Sequence, residues 1–219
     1  RKAPQSIAPI AALYQTLGET VAERTKFYRE VGDKIFRDKL SDEAEASLMT
    51  LGGFAEVGRS CMLLSTTESK ILLDCGINEY ARDSLAAMPR FDVAGVAMED
   101  IDTVVLSHAH LDHTGFLPAL FKYGYRGPVY CTEPTLLLMS MLQRDYVRRA
   151  GESALYSEND ISAAITHTIT LTHGIVTDIS PDVKLVLSNS GHILGSTSIH
   201  LHIGNGDHNL VYTGDMKFG

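Results

Sequence analysis

The chain has 219 residues, of which 44% are hydrophobic and 21% charged, a composition that excludes collagen, a coiled coil and a disordered chain. Its formal net charge of −8 is unevenly distributed along the sequence. Residues 1–40 carry eight Lys or Arg against five Asp or Glu, whereas the acidic excess lies in residues 41–219. No apolar run reaches the roughly 20 residues of a membrane helix and the start lacks a signal-peptide core, so we predict a cytoplasmic protein without membrane contact.

The first forty residues have the pattern of a basic amphipathic helix. Apolar side chains recur at helical spacing over residues 9–39, and Gly18 marks a predicted interruption. The Lys and Arg side chains of this helix either are solvated or contact RNA. We predict a basic helical extension or linker over residues 1–44 and a domain over residues 45–219. Arg1 is not an initiator methionine and residues 213–219 end just after a predicted strand, so we expect both ends to belong to a longer chain.

Strand and helix patterns alternate over the rest of the chain. Helices are predicted at residues 114–122, at 136–147 behind a Thr132 cap, and from Ser157 onward. A turn over residues 204–207 joins the last two strands. This order predicts an α/β fold in which sheets are sandwiched by helices. Short apolar runs bounded by turns predict strands at residues 47–51, 61–65, 70–74, 102–107, 129–131, 169–171, 183–188, 196–203 and 209–213.

Three smaller features have more than one interpretation. Arg148 and Arg149 follow the second helix, where they either complement the helix dipole or bind phosphate. The polar aromatic loop at residues 123–126 is either a plain surface loop or a platform on which a base stacks. His200 and His202 share one face of a strand whose other face is apolar, so we interpret them as solvent-side or interface residues.

The densest group of candidate metal ligands follows the strand at residues 102–107. In extended backbone, His108 and His110 point to the same side and can share one ion. Asp112 and His113 come where the chain turns into a helix, so they can face a second ion nearby. Imidazole and carboxylate ligands without a thiolate suit Zn²⁺ with open coordination positions, with Mn²⁺ or Fe²⁺ as substitutes. The sequence therefore predicts a centre for two ions.

Two further candidate ligands follow later strands. His192 lies among small residues after the strand at 183–188, which lets the backbone approach an ion closely. Asp215 follows the strand at 209–213, and a carboxylate at that position could bridge two cations. We expect both residues to join the group at 108–113.

The motif H-x-H-x-D-H over residues 108–113 resembles that of the metallo-β-lactamase superfamily. The resemblance implies an αββα sandwich in which Asp74 supports the metal loop and is not itself a ligand. It also implies how the ions are shared: His108, His110 and His192 hold one ion, Asp112 and His113 hold the other, and Asp215 bridges the two.

Segments 51–60, 73–78 and 191–196 resemble the β-CASP branch of nucleic-acid-processing enzymes. Residues 200–209 and the basic helix look most like the archaeal relatives of the cleavage and polyadenylation specificity factor ribonuclease. The resemblance implies that residues 1–44 trail a KH-like RNA-binding region and that residues 45–219 are the N-terminal part of the catalytic domain. The sandwich is then incomplete, because the β-CASP cap, a general-acid histidine and a last metal ligand would follow residue 219. A homodimer of the full-length protein is expected.

We therefore predict a zinc-dependent endoribonuclease that hydrolyses single-stranded RNA in mRNA 3′-end processing, transcription termination or RNA decay. Asp112 and His113 are its predicted catalytic residues, and Asp112 helps to orient the nucleophile. One alternative is another dinuclear zinc hydrolase, a thioesterase or lactonase, because the same ions activate water against carbonyls. Another is a non-catalytic RNA-binding subunit, although all six predicted ligands are intact here. We expect the isolated segment to bind metal weakly and to be inactive.

Overall fold

The structure is a computed structural model that describes residues 8–41, 43–81 and 83–217. The outermost residues of the two predicted parts, 1–7 and 218–219, lie outside the described residues, as does Asp42 near their predicted boundary. In the part of the chain that is described, no helix combines the length and apolar character required to cross a membrane.

The described residues form strands and helices in an order close to the predicted one. The strands are β1 (Ala46–Gly52), β2 (Cys61–Thr66), β3 (Lys70–Leu73), β4 (Thr103–Val105), β5 (Val129–Cys131), β6 (Thr168–Thr170), β7 (Thr177–Ser180), β8 (Val183–Asn189), β9 (Thr197–Ile203) and β10 (His208–Tyr212). The helices are α1 (Ala8–Glu19), α2 (Val21–Ile35), α3 (Ser84–Ala87), α4 (Phe91–Ala94), α5 (Leu111–Thr114), α6 (Leu117–Lys122), α7 (Glu133–Ala150) and α8 (Glu158–Thr166). Two short 3-10 turns occur at Met98–Asp100 and Gly151–Ser153.

The strands form two sheets. The first has the order β1-β2-β3-β4-β5-β6, in which the first three strands are antiparallel and β3 to β6 run parallel. The second is antiparallel and has the order β10-β9-β8-β7. Because the carboxyl ends of parallel strands meet at one edge of a sheet, residues that follow β3 and β4 lie side by side there.

Alternating side chains of the first sheet supply two separate hydrophobic cores. On β3, Leu72 belongs to the core under the helices, whereas Ile71 and Leu73 on either side of it belong to the core shared with the second sheet. On β4, Val104 and Val105 divide in the same way. This two-residue period is that of a strand buried on both faces. The first sheet therefore lies between a layer of helices and the second sheet.

The two N-terminal helices pack on the helical layer. Leu13 of α1 is 1% exposed and belongs to the same core as α7 and α8. In α2, Arg24 donates a hydrogen bond to the carbonyl of Ile165 at 2.9 Å, whereas the side chains of Lys26 and Lys34 are exposed. The predicted interruption near Gly18 is confirmed, because α1 ends one residue later. The division at residue 44 stays a prediction.

Several predicted elements are confirmed and a few are corrected. The turn at residues 204–207 joins β9 and β10, and Thr132 caps α7 by accepting a bond from the Thr135 N–H. The helix predicted at 114–122 is wrong in its start. The structure has two short helices here, α5 and α6. The first begins before residue 114, because the N–H groups of His113 and Thr114 already bond to the carbonyl of His110. The short elements α3, α4 and β7 were not predicted.

The remaining aromatic and histidine interpretations are partly resolved. In the loop at residues 123–126, Tyr125 is buried and its hydroxyl donates to the carbonyl of Pro128 at 2.6 Å, which leaves Tyr123 as the exposed ring. His200 and His202 lie on the half-exposed face of β9, opposite its buried apolar face, as predicted.

Candidate metal centre

The H-x-H-x-D-H motif follows β4 and is fixed by a neighbouring strand end. Gly76 lies so close to this motif that a Cβ on it would overlap the carbonyl oxygen of Asp112, so only glycine allows the approach. The backbone carbonyls of residues 111–113 are all hydrogen-bonded as a result. The Ile77 N–H donates to the carbonyl of Leu111 (2.9 Å), the Ser60 N–H donates to that of Asp112 (2.8 Å), and the Cys75 N–H donates to that of His113 (2.7 Å).

Asp74 is a fully buried carboxylate beside the motif, with its backbone in the left-handed region at φ 58°. Burial raises the pKa of Asp74, but His113 and the hydrogen bonds outweigh burial and hold this pKa below its usual value. The carboxylate therefore stays charged while buried. Its oxygens accept hydrogen bonds from the Ser107 N–H (2.6 Å), the Ser107 hydroxyl (2.6 Å), His113 Nδ1 (2.7 Å) and the Tyr212 hydroxyl (2.8 Å).

Three histidines and one aspartate converge in front of this support. His108 Nε2 lies 3.1 Å from His110 Nδ1, and His192 Nε2 lies 3.3 Å from the same nitrogen. One ligand atom from each of these histidines and from Asp215 lies within 4.8 Å of every other. Two ligands of a tetrahedral Zn²⁺ with bonds of about 2.1 Å are roughly 3.4 Å apart, so the spacing and the donor types fit a divalent ion.

Asp215 also faces a second group of side chains. Its Oδ2 lies 3.4 Å from His192 Nε2, whereas its Oδ1 lies 3.5 Å from His113 Nε2. The carboxylate of Asp112 is 3.8 Å from the same His113 nitrogen and is partly exposed. The structure thus brings all six sequence-predicted residues together, with one oxygen of Asp215 directed to each group.

The charges of the histidines differ across the site. Burial, together with the positive charge of His113, lowers the pKa of His108 to about 4, so its ring is neutral at pH 7 and can bind a cation. Burial also acts to lower the pKa of His113, but the carboxylates of Asp74, Asp112 and Asp215 raise it more. These three carboxylates therefore make the surroundings of His113 the more negative side of the site.

The later strands bring His192 and Asp215 to the motif. Gly214 adopts a φ of 54°, and a Cβ on it would lie 2.6 Å from the Cβ of Ser107, so glycine permits the close approach of Asp215. The backbone N–H of His192 donates to the hydroxyl of Ser196 at 3.1 Å. Sequence reasoning missed Ser107 and Tyr212, whose polar groups stand beside ligands but belong to no motif.

A groove leads away from the site along residues 77–81. It consists of two adjoining cavities of about 360 and 570 Å³ that share Arg149 in their walls. The first cavity is also lined by His110, Asp112 and Tyr80, and Tyr80 is 96% exposed. Arg149 is ion-paired with Glu79 at 2.9 Å. An uncovered aromatic ring therefore lies beside the candidate metal centre.

The two-sheet sandwich with this histidine and aspartate cluster at its strand ends is the metallo-β-lactamase fold. A HARLDQ-motif mutant of a metallo-β-lactamase from Cronobacter sakazakii is similar, with a TM-score of 0.54 and 23% identity over 75% of this chain and 60% of that one. The metallo-β-lactamase fold protein YhfI from Bacillus subtilis has a TM-score of 0.50 and 16% identity, over 78% of this chain and 63% of its own. At these identities the likeness concerns the fold.

The chain belongs to the family described as Anti-Pycsar protein Apyc1, whose model matches residues 53–219. It is 54% identical to the transcription termination factor FttA of Cenarchaeum symbiosum over 223 residues, and 46% identical to that of Methanothermobacter thermautotrophicus over 221 residues. Both matches cover 100% of this chain and 35% of the relative. The chain thus spans about a third of the length of these curated relatives, and the resemblance to the archaeal β-CASP branch is confirmed.

Proposed function

We propose that the protein is a metal-dependent ribonuclease that hydrolyses single-stranded RNA with two bound divalent ions, zinc being the expected metal. The observation that carries this proposal is the position of Asp215, whose two oxygens face two separate groups of ligands. His108, His110 and His192 would hold one ion, Asp112 and His113 the other, and Asp215 both. When bound, such ions supply a Lewis acid for the phosphate and lower the pKa of a water molecule.

The protein side chains would divide the remaining work. Asp112 is partly exposed and stands next to His113 Nε2, so it is placed to orient a water molecule for attack on phosphorus. Asp74 accepts a bond from His113 Nδ1 and thereby keeps Nε2 of that ring directed at the site. The leaving oxygen would take its proton from a group outside the described residues.

RNA is the substrate that the relatives and the groove favour. The relatives are named transcription termination factors, and RNA is the product of transcription. The groove beside the centre exposes the ring of Tyr80, and exposed aromatic rings are common platforms for unpaired bases. Residues 1–44 would connect an upstream RNA-binding region to this domain. A cytoplasmic location and a homodimer of the full-length protein stay predictions from the sequence.

Cleavage of labelled RNA by the full-length protein tests the proposed function. We expect single-stranded RNA to be cut internally, with full loss of cleavage in excess chelator and recovery on adding Zn²⁺ or Mn²⁺. A thioester and a lactone serve as control substrates. Hydrolysis of either control with intact RNA would show that the alternative hydrolase is correct, and RNA binding without any hydrolysis would indicate a non-catalytic subunit.

Replacing Tyr80 with alanine should weaken the binding of single-stranded RNA to the full-length protein. Stacking of one base on an aromatic ring is worth about 1–3 kcal/mol, so the dissociation constant is expected to rise about tenfold. Fluorescence anisotropy with a short labelled oligonucleotide measures the change. Ile175→Ala is the control, because Ile175 is also a large exposed side chain but lies outside the groove. Equal affinities of the wild-type and Tyr80→Ala proteins would exclude Tyr80 from the RNA-binding surface.

A further inference from the structure

Tyr212 connects the second sheet to the support of the candidate metal centre. It is the last residue of β10, and its ring packs against the core between the two sheets. Its hydroxyl donates a hydrogen bond to Asp74 Oδ2 at 2.8 Å. The bond crosses from the second sheet to the residue that follows β3 of the first. This hydroxyl is thus one of the groups that join the two sheets at the edge where the ligands meet, together with the Thr197 N–H, which donates to the carbonyl of Ser107 at 2.8 Å.

The oxygen that accepts this bond is shared with the motif. Asp74 Oδ2 also accepts the Ser107 hydroxyl at 2.6 Å and His113 Nδ1 at 2.7 Å. The orientation of the His113 ring therefore depends on an atom that Tyr212 helps to hold. A hydrogen bond to the second ring nitrogen of a metal-ligating histidine fixes the orientation and the tautomer of its ring.

Tyr212 also precedes Asp215 by three residues on the same strand end. Between them, Gly214 packs against Ser107, so the short segment has fixed contacts at both of its ends. Anchoring Tyr212 on Asp74 therefore sets the starting point of the segment that carries Asp215. His113 Nε2 and Asp215 Oδ1 face each other at 3.5 Å. Tyr212 is connected to His113 through Asp74 Oδ2 and to Asp215 through the backbone of the same segment.

We propose that Tyr212 is a positioning residue whose hydroxyl sets the spacing between His113 and Asp215 and so determines the affinity for the second metal ion. This inference rests on the proposed function, in which both residues contact that ion. The first ion is also linked to this network, because Asp215 faces both ligand groups and the Ser107 hydroxyl lies 3.0 Å from His108 Nδ1. Within the described residues, no hydrogen bond joins its other two ligands, His110 and His192, to Asp74, so we expect the first ion to be less affected than the second. Burial, with the charge of Asp74, raises the pKa of Tyr212, which keeps its hydroxyl protonated as a donor.

The test is a Co²⁺ titration of the metal-free full-length protein, followed by visible absorption, in wild-type and Tyr212→Phe forms. Phenylalanine keeps the packed ring and removes only the hydroxyl. We expect the second binding step to weaken by about tenfold or more, as is typical when a partner of a metal ligand is lost, and the first step to weaken clearly less. Tyr125→Phe is the matched control, because it removes a buried tyrosine hydrogen bond, to Pro128, that involves none of the candidate ligands.

The outcomes separate this inference from the proposed function. If the wild-type protein binds fewer than two Co²⁺ ions, the proposed dinuclear centre is wrong. If the wild-type protein binds two and Tyr212→Phe binds both with wild-type affinity, the positioning role alone is wrong. Equal weakening of both steps, or the same effect in Tyr125→Phe, would indicate a general loss of stability and would also overturn the positioning role.

Discussion

Replacing Asp215 with alanine should lower the rate of RNA cleavage by the full-length protein at least about a thousandfold. Loss of a residue that merely supports a metal ligand reduces metal affinity or activity about 10–100-fold, and Asp215 faces both ligand groups directly. Single-turnover cleavage of a labelled RNA at saturating metal measures the rate. Metal content, determined on the same samples, should fall below two ions per chain.

Asp207→Ala is the control for this experiment. Asp207 is an exposed aspartate in the turn between β9 and β10, so its loss removes one negative charge from the same sheet without touching the ligands. We expect it to cleave RNA at the wild-type rate. A rate for Asp215→Ala within tenfold of the wild type would remove Asp215 from the catalytic centre.

Replacing Asp74 with asparagine should lower the free energy of unfolding by about 3–5 kcal/mol, the range typical when one partner of a buried charged pair is removed. Asparagine tolerates the left-handed backbone of this position, so the loss reports on the carboxylate itself. The amide nitrogen of the asparagine cannot accept a hydrogen bond, so some of the donors around Asp74 would lose their acceptor. Urea unfolding at pH 7 measures the effect, and the exposed Asp92→Asn change should leave the free energy of unfolding almost unchanged.

The effect of Asp74→Asn should also depend on pH. The pKa of Asp74 is lower in the folded protein than in the unfolded chain, where it is about 3.9. A carboxyl group of this kind stabilises the fold above its unfolded pKa and loses that contribution as the pH falls. The difference between wild type and variant should therefore be full at pH 7 and shrink below about pH 4. An unchanged difference in acid would mean that Asp74 is not charged in the folded protein.

The fold was predictable from the sequence where the apolar pattern is long and regular. The seven-residue strands β8 and β9 and the capped helix α7 are such cases. The strand β7, Thr177–Ser180, has four residues and lies at the edge of its sheet, so it carries almost no apolar pattern. The single-turn helices α3 and α4 are also too short to show a helical period.

The candidate site was predictable in part. The spacing of His108 and His110 indicates a shared ion from local geometry alone, because the two lie on one side of an extended segment. His192 and Asp215 were expected to join them because each follows a strand, but the sequence does not state which strand ends meet, and the way the ions are shared came only from the resemblance. Tyr212 could not be found in this way, because its role comes from a contact with Asp74, 138 residues earlier.

The hydrogen-bonded carbonyls of residues 111–113 have a consequence for mutagenesis of this loop. Since the N–H groups of Ile77, Ser60 and Cys75 hold its backbone, the course of the main chain does not depend on the side chain of Asp112. Replacing Asp112 should therefore remove a carboxylate and leave the main-chain path intact, so this position separates chemistry from folding.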